Sequence, residues 1–368
     1  MWMKLVPVTA LFATVTLTTP AHAAPTSPIG GDLLGHRGLV HPTGIKAPPK
    51  TKATAYVIAD AETGQVLAAK DAHGRLAPAS TLKTLTAETL IPKLDRTTRV
   101  KPSANAVNQE GSAVGLTTKG IYTVDDLFKG LLLCSGNDAA VALAETNGGM
   151  AKTLADMNAE AKRLQANDTV AKTPNGLDKK GQSSSAYDLA LIARAGLKNP
   201  DFLRYVSMKT AKFPAPKGKS YEIGNHNKLL WRYKGMIGVK NGWTSKALGS
   251  FVGAASRNGH TIIVTIMRHD GYFWDEVSKL LDWGFAARGK VQPVGQLVDP
   301  LPDQATQQQV AASPSASSVP ARAPMLGAAA AKQTDTSRTV GVVVIGAGLL
   351  FGLGWVGYGI RRRRARRP

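Results

Sequence analysis

Three short motifs in this chain bring together residue types that can carry nucleophilic chemistry, and the first is Ser80-Thr81-Leu82-Lys83. It lies where a Pro-Ala loop enters a predicted helix over 80–92, and its spacing places Ser80 and Lys83 on one helix face. The amino end of a helix offers backbone N–H groups to a developing anion. A lysine can take the serine proton if burial and a second cation keep its amine neutral. The same four residues also fit a surface serine and lysine on an ordinary helix.

The second motif, Ser135-Gly136-Asn137, ends the apolar run 131–134 and precedes a predicted helix over 138–146. A hydroxyl and an amide two residues apart can relay a proton and orient an amide substrate. Because Ser and Asn are also favoured helix N-caps, both interpretations stay open at this point. The neighbouring Cys134 is interpreted as a small buried hydrophobe rather than a nucleophile.

The third motif, Lys240-Asn241-Gly242-Trp243-Thr244, precedes two predicted strands at 249–256 and 261–267 joined by an Asn-Gly turn. A lysine and a threonine on a strand that faces a groove suit a carboxylate ligand. Gly242 removes a side chain where the substrate backbone must lie close. The alternative is a solvated lysine on an edge strand.

The elements that must position these motifs are strands at both ends of the body with helices between them. A hairpin is predicted at 56–60 and 66–69, and helices are predicted at 123–133, 150–165, 186–196 and 274–287. This order predicts an α+β (mixed) fold, with one antiparallel β-sheet built from distant segments, flanking helices and an inserted helical lobe. The groove between the lobes is the expected site.

Both ends of the chain predict export and membrane attachment. Residues 1–23 are typical of a signal peptide, with cleavage expected before Ala24. A flexible leader over 24–52, a catalytic domain over 53–290 and an Ala/Ser/Pro/Gln-rich linker over 291–338 follow. Residues 340–360 carry no charge and could span a bilayer as a single transmembrane helix. By the positive-inside rule, the basic tail 361–368 is cytoplasmic and the catalytic domain lies on the cell-wall side.

The composition and the absence of certain motifs exclude several classes of function. The net charge of +21 favours anionic partners, but six arginines of the tail adjoin the apolar run, which argues against nucleic acid as the partner. A single cysteine excludes an intramolecular disulfide framework and multi-cysteine zinc sites. The motifs G-x-S-x-G and H-E-x-x-H are absent, and the sequence indicates no metal or organic cofactor.

Taken together, the three motifs resemble the set S-x-x-K, S-x-N and K-x-G of β-lactamases and penicillin-binding proteins. The body is similar to the serine-type D-alanyl-D-alanine carboxypeptidases, the low-molecular-mass penicillin-binding proteins. The resemblance covers roughly 53–290 and includes the hairpin YVIADAETGQVLAAK, the lead-in PASTLK, and the segments SGNDAA, PNGLDKKGQSSSAYDLA and NHNKLLWRYKGMIGVKNGWT.

The resemblance implies a two-step acyl transfer on a peptidoglycan stem peptide ending in D-Ala-D-Ala, with β-lactams as covalent inhibitors. Ser80 would be the nucleophile, Lys83 its general base and Ser135 the proton donor to the leaving D-alanine. The implied substrate-binding residues are Asn137 for the peptide carbonyl, Lys240 and Thr244 for the terminal carboxylate, the backbone N–H groups of Ser80 and Trp243 for the oxyanion, and the intervening Asn241 and Gly242.

Two alternatives to a carboxypeptidase remain open. Asn241 stands where the family has Thr, so a catalytically impaired wall-binding protein on the same fold is one alternative. A β-lactamase is a second alternative, but it needs a Glu between the second and third motifs for deacylation. No Glu lies between Glu160 and Glu222, which argues against it.

Overall fold

The computed structural model describes residues 27–302. The predicted signal peptide, the transmembrane helix, the basic tail and most of the linker lie outside the described residues. Within 27–302, no helix is both long and apolar enough to cross a membrane.

The described chain contains short and long strands at both ends and a run of helices between them. In chain order the strands are β1 (Leu39–Val40), β2 (Ala55–Asp60), β3 (Gln65–Lys70), β4 (Arg99–Val100), β5 (Tyr122–Thr123), β6 (Thr210–Pro214), β7 (Ser220–Gly224), β8 (Met236–Thr244), β9 (Leu248–Arg257), β10 (His260–His269) and β11 (Gly295–Gln296). The helices are α1 (Lys83–Leu90), α2 (Ala104–Val107), α3 (Val124–Leu132), α4 (Asn137–Thr146), α5 (Met150–Arg163), α6 (Ala186–Gly196), α7 (Pro200–Ser207), α8 (Leu229–Arg232) and α9 (Trp274–Ala287).

Seven of these strands form the main sheet, and every pairing in it is antiparallel. The strand order is β1-β3-β2-β10-β9-β8, and β11 also pairs with the outer edge of β3. β4 with β5 and β6 with β7 form two separate ribbons. The prediction of an antiparallel sheet assembled from distant segments is therefore confirmed, and β8, which carries the third motif, lies at an edge.

The two faces of the sheet bury different partners because side chains alternate along each strand. On β2, Val57 and Ala59 pack into the core shared with the helical lobe, whereas Ile58 packs into the cluster under α9. The Thr265 hydroxyl of β10 donates to the carbonyl of Ala186 at 2.7 Å. This bond attaches α6 to the face of the sheet that the helical lobe covers. The inserted lobe thus covers one face and α9 the other.

Helix boundaries follow local capping signals. The Thr123 hydroxyl accepts from the amide of Asp126, whose carboxylate accepts from Thr123 in return, so a capping box starts α3. The structure also contains α7, which the sequence analysis does not predict. Its start is marked by the Asn199 side chain, which caps the helix, and by Pro200 at the first helical position.

Residues on both sides of the predicted catalytic domain pack against the sheet. In the segment assigned to a leader, Leu34 is 1% exposed, and the Trp283 Nε1 of α9 donates to the Lys46 carbonyl at 2.8 Å. In the segment assigned to the linker, Leu297 is fully buried beyond β11. The packed body therefore includes 27–52 and extends to about 298. Short strands at a sheet edge hold both segments, and composition carries no signal of such strands.

Candidate active site

The first two motifs meet at the side-chain nitrogen of Lys83. Its Nζ lies 3.0 Å from Ser80 Oγ, 2.7 Å from Asn137 Oδ1 and 2.6 Å from the Asn175 carbonyl oxygen. The Lys83 side chain is fully buried. The structure thus brings together Ser80, Lys83 and Asn137, although Asn137 lies 54 residues after Lys83 in sequence.

The surroundings of Lys83 favour a neutral amine. Burial lowers the pKa of Lys83 well below its ordinary value, the positive charge of Lys240 lowers it further, and the Asp138 carboxylate opposes the shift. Of the three groups in contact with Nζ, the amide oxygen and the carbonyl can only accept hydrogen bonds. A neutral amine would therefore donate its two N–H groups to them and turn its lone pair toward the Ser80 hydroxyl. This is the arrangement that a general base requires.

Ser80 lies on a 3-10 turn, Ala79–Leu82, that leads into α1. Three close approaches hold this turn in place. The Ser250 hydroxyl of β9 donates to the Pro78 carbonyl at 2.7 Å. A Cβ on Gly176 would lie 2.0 Å from the Ala79 carbonyl, and one on Gly242 would lie 2.6 Å from the Ser80 amide nitrogen. Two glycines therefore allow neighbouring backbones to approach the nucleophile from two sides.

The second motif forms a tight loop before α4. Ser135 has a φ of 62°, and the Gly136 amide donates to the Gly130 carbonyl at 2.9 Å. The side chain of Asn137, the first residue of α4, does not cap the helix, because its Oδ1 accepts from Lys83 and its Nδ2 donates to the Glu110 carbonyl. The Ser135 hydroxyl makes no hydrogen bond with another described residue. The N-cap interpretation therefore does not describe this motif.

A buried carboxylate supports that loop. Asp138 accepts hydrogen bonds from the amides of Val114, Gly115, Leu116 and Ala139 at 2.9–3.0 Å. These bonds fasten the loop 114–116 to the start of α4. Asp138 was not among the predicted site residues, although it directly follows Asn137 in sequence.

Lys240 is the second buried cation of the site. It is 1% exposed, and its Nζ donates to the Asn241 carbonyl at 2.7 Å. Burial lowers the pKa of Lys240 to about 7. Its charge also lowers the pKa of the partly buried His226, after the effect of burial itself, so Lys240 lies near that ring. An anion bound here would restore the charge of the lysine.

The side chains of β8 alternate between the two faces of the sheet. Gly242 pairs with Ser250 on the face of the Ser80 turn. Asn241 pairs with Phe251, whose ring belongs to the cluster under α9, and the 69% exposed Trp243 follows on that same face. The contact of Asn241 with Lys240 is therefore made by its backbone carbonyl. Gly242 lies against the Ser80 amide, so close approach of the protein's own backbone already accounts for a glycine at this position.

Thr244 lies at the other end of the motif and contacts a different wall. Its hydroxyl donates to Asp178 Oδ1 at 3.1 Å and accepts from the Ala247 amide at 2.9 Å. Thr244 lies four positions after Lys240, which on a β-strand corresponds to about 13 Å between Cα atoms. The two residues therefore line opposite ends of the groove.

Several residues that contact the site were not predicted from the sequence. Asn175 contributes a backbone carbonyl, for which its residue type gives no signal, and Ser250 acts from the neighbouring strand. The segment that resembled the family, PNGLDKKGQSSSAYDLA, contains Asn175, Gly176 and Asp178. That resemblance was the one available signal for this wall of the site.

The Cys134 thiol and one cluster of possible metal ligands are two further candidates for reactive or metal-binding groups in the described chain. Burial raises the pKa of the Cys134 thiol to about 11, so the thiol is protonated at neutral pH. Among residues 27–302, the one cluster with possible metal-ligand geometry is His73, Asp168 and Asp188. His73 Nδ1 lies 2.8 Å from Asp168 Oδ2, and the Thr169 hydroxyl donates to Asp188 Oδ2 at 2.7 Å. Hydrogen bonds within the protein thus already use Nδ1 of His73 and one carboxylate oxygen of each aspartate.

Known proteins match this chain over the same body. The sequence model of a family described as D-alanyl-D-alanine carboxypeptidase matches residues 43–271. The D-alanyl-D-alanine carboxypeptidase DacB2 of Mycobacterium tuberculosis is 41% identical over 254 residues, which are 67% of this chain and 87% of the relative. DacF of Bacillus subtilis is 31% identical over 248 residues, which are 64% of this chain and 62% of that relative, so this chain spans less than two thirds of it.

Solved structures agree with the sequence matches. The crystal structure of a D-alanyl-D-alanine carboxypeptidase from Mycobacterium tuberculosis has a TM-score of 0.66 and 39% identity, and the match covers 71% of this chain and all of that one. The DD-transpeptidase of Streptomyces K15 has a TM-score of 0.62 and 28% identity, with 66% of this chain and all of that one covered.

Proposed function

The chain belongs to the D-alanyl-D-alanine carboxypeptidase family, and from that premise we propose that it removes the terminal D-alanine from peptidoglycan stem pentapeptides. It is a serine-type enzyme of this class. The acyl-enzyme would form on Ser80, and the product would be a stem peptide shortened by one residue.

The observation that carries this proposal is the contact between Lys83 Nζ and Ser80 Oγ at 3.0 Å, with both other neighbours of the amine being hydrogen-bond acceptors. Lys83 would take the Ser80 proton while Oγ attacks the carbonyl between the two D-alanines. The backbone N–H groups of Ser80 and Trp243 would stabilise the oxyanion. Ser135 would pass its proton to the leaving amine as the peptide bond breaks and would receive in return the proton that Lys83 took from Ser80, which leaves Lys83 neutral again. Water, deprotonated by the same lysine, would then cleave the ester and restore the Ser80 hydroxyl.

Binding of the substrate would use the ends of the groove. Lys240 would pair with the terminal carboxylate, and Asn137 would bind a peptide carbonyl through the N–H that its bond to Glu110 leaves over. A β-lactam carries a carboxylate beside a strained amide, so the same groups support the proposal that penicillin acylates Ser80.

The proposal includes a location. The signal-like 1–23, the uncharged run 340–360 and the basic tail 361–368 support export and a single-pass anchor with the catalytic domain on the cell-wall side. Removal of 340–368 should transfer the enzyme from the membrane fraction to the medium. Retention of the truncated enzyme in the membrane fraction would contradict the anchor.

Release of D-alanine tests the activity. The full chain, purified in detergent as wild type and as Ser80→Ala, is mixed with a stem pentapeptide ending in D-Ala-D-Ala. We expect release by the wild type and none by Ser80→Ala. If folded wild type releases no D-alanine, the proposed reaction is wrong and the alternative of a wall-binding protein on the same fold is favoured. Adding an amine acceptor distinguishes hydrolysis from peptide transfer, because transfer would form a new peptide at the expense of the shortened one.

A further inference from the structure

Strand β8 orders the groove from one end to the other. Lys240 lies at the end nearest the second motif. Two residues before it, Gly238 lies against the Val206 carbonyl, which accepts a hydrogen bond from Asn225, and the next residue, His226, donates its backbone amide to the Leu133 carbonyl. Gly242 lies against the Ser80 amide in the middle. Thr244 lies at the far end, bonded to Asp178.

This order gives a direction to a bound peptide. β8 is an edge strand, and an extended peptide can pair with such an edge. In the proposed function, the leaving D-alanine and its carboxylate lie toward Ser135 and Lys240. The acyl part must then run from Ser80 toward Thr244 and Asp178. The Cα atoms of Lys240 and Thr244 are about 13 Å apart, and Lys240 Nζ is held at the neighbouring Asn241 carbonyl, so we assign the carboxylate to Lys240 and Thr244 to the acyl side.

We propose that Asp178 is a specificity-determining residue that selects donor peptides with a cationic side chain on the residue before the D-Ala pair. This inference rests on the proposed function and names the substrate class more closely. Thr244 directly follows Trp243, whose amide would bind the oxyanion of the penultimate D-Ala. In a peptide paired with β8, the residue before the D-Ala pair would therefore lie opposite Thr244.

The contacts of Asp178 explain why its charge is available. Thr244 holds Oδ1 of the carboxylate at the groove, and within the described residues Asp178 makes no ion pair. Its side chain is exposed, so an ammonium group that approaches along β8 can reach it. Lys179 and Lys180 follow directly and act against a cation, but long flexible side chains can extend into water. Replacement of Lys179 should therefore increase the preference rather than abolish it.

The test compares two peptides that differ by one charge, acetyl-Lys-D-Ala-D-Ala and the same peptide acetylated on the lysine Nε. The full chain is used as wild type, Asp178→Asn and Lys179→Gln. We expect wild type to prefer the free amine by about threefold to tenfold in kcat/KM, and the preference to weaken in 1 M salt. Asp178→Asn, which retains an oxygen for Thr244, should bring the ratio to within twofold of one. Lys179→Gln should keep or raise it.

A second readout does not require turnover. In a Ser80→Ala background, the ratio of the two dissociation constants should show the same preference and the same loss on Asp178→Asn. Equal binding of both peptides, or a ratio that Asp178→Asn leaves unchanged, would overturn the inference. Absence of D-alanine release from either peptide would instead count against the proposed function, and the binding ratio would still decide the role of Asp178.

Discussion

At the scale of single residues, two buried lysines in one site divide the chemistry between them. Lys83 is surrounded by acceptors and by the Ser80 hydroxyl, and burial with the nearby charge of Lys240 keeps its pKa low. Lys240 must keep its proton to bind an anion, yet burial lowers its pKa to about 7. The same low-dielectric site therefore favours a neutral base, Lys83, and leaves the nearby Lys240 only marginally protonated at neutral pH.

The pH dependence of kcat/KM should report both lysines. Activity rises with pH as Lys83 loses its proton and becomes a base. Activity falls above about pH 7 as Lys240 loses the charge that binds the carboxylate. Because an arginine stays protonated, Lys240→Arg should move the alkaline limb upward by more than about one pH unit. An alkaline limb at the same pH in Lys240→Arg would show that another group causes it.

At the scale of elements, the site depends on the approach of β8 to the turn before α1. A Cβ on Gly242 would lie 2.6 Å from the Ser80 amide nitrogen and 2.9 Å from Ser250 Oγ. Both contacts involve groups that hold the nucleophile, so the strand and the turn cannot separate without moving Ser80. The glycine acts through the geometry of two backbones.

Gly242→Ala should therefore lower kcat/KM by about a hundredfold, comparable to loss of one oxyanion donor. The added methyl group should cost only about 1–3 kcal/mol in free energy of unfolding. Gly224→Ala is the matched control, since a Cβ at this strand glycine would meet nothing within 4 Å. D-alanine release and thermal unfolding of both variants provide the comparison. Full activity of Gly242→Ala would mean that β8 lies farther from Ser80.

Elements with a strong local pattern were predictable from sequence. The strands β2, β3, β9 and β10 and the helices α3 to α6 and α9 lie within a few residues of their predicted positions, because their apolar periodicity and turn residues are local signals. The motifs also predicted a site with Ser80, Lys83 and Asn137, and the structure brings these three side chains together. The sequence could not identify the Asn175 carbonyl or the Ser250 hydroxyl, because their roles depend on which segments meet in space.

At the scale of the whole molecule, segments from both ends of the described chain close one edge of the sheet. β1 and β11 pair with β3, and the Gln296 amide donates to the Gly30 carbonyl at 2.8 Å. Arg194 of α6 donates to the Ala61 and Leu297 carbonyls, so the lobe, the sheet and the last segment share one side chain. The segments that precede and follow the main body are thus parts of its fold.

Leu34→Ala tests that conclusion. Leu34 is 1% exposed, so its truncation should lower the free energy of unfolding by about 2–4 kcal/mol. The adjacent Leu33 is 49% exposed, and Leu33→Ala should change stability by less than about 0.5 kcal/mol. Denaturant unfolding of both variants measures the difference. Equal, small effects would mean that 27–52 contributes nothing to the stability of the body.

Acylation of Ser80 by a peptide ending in D-Ala-D-Ala would change the mass of the enzyme during turnover. The full chain is mixed with a stem pentapeptide, quenched in acid, digested and mapped by mass spectrometry. We predict an adduct equal to the peptide without its last D-alanine on the fragment that contains Ser80, and no adduct on Ser80→Ala. An adduct on another residue, or D-alanine release without any Ser80 adduct when the ester is trapped at low pH, would exclude Ser80 as the nucleophile.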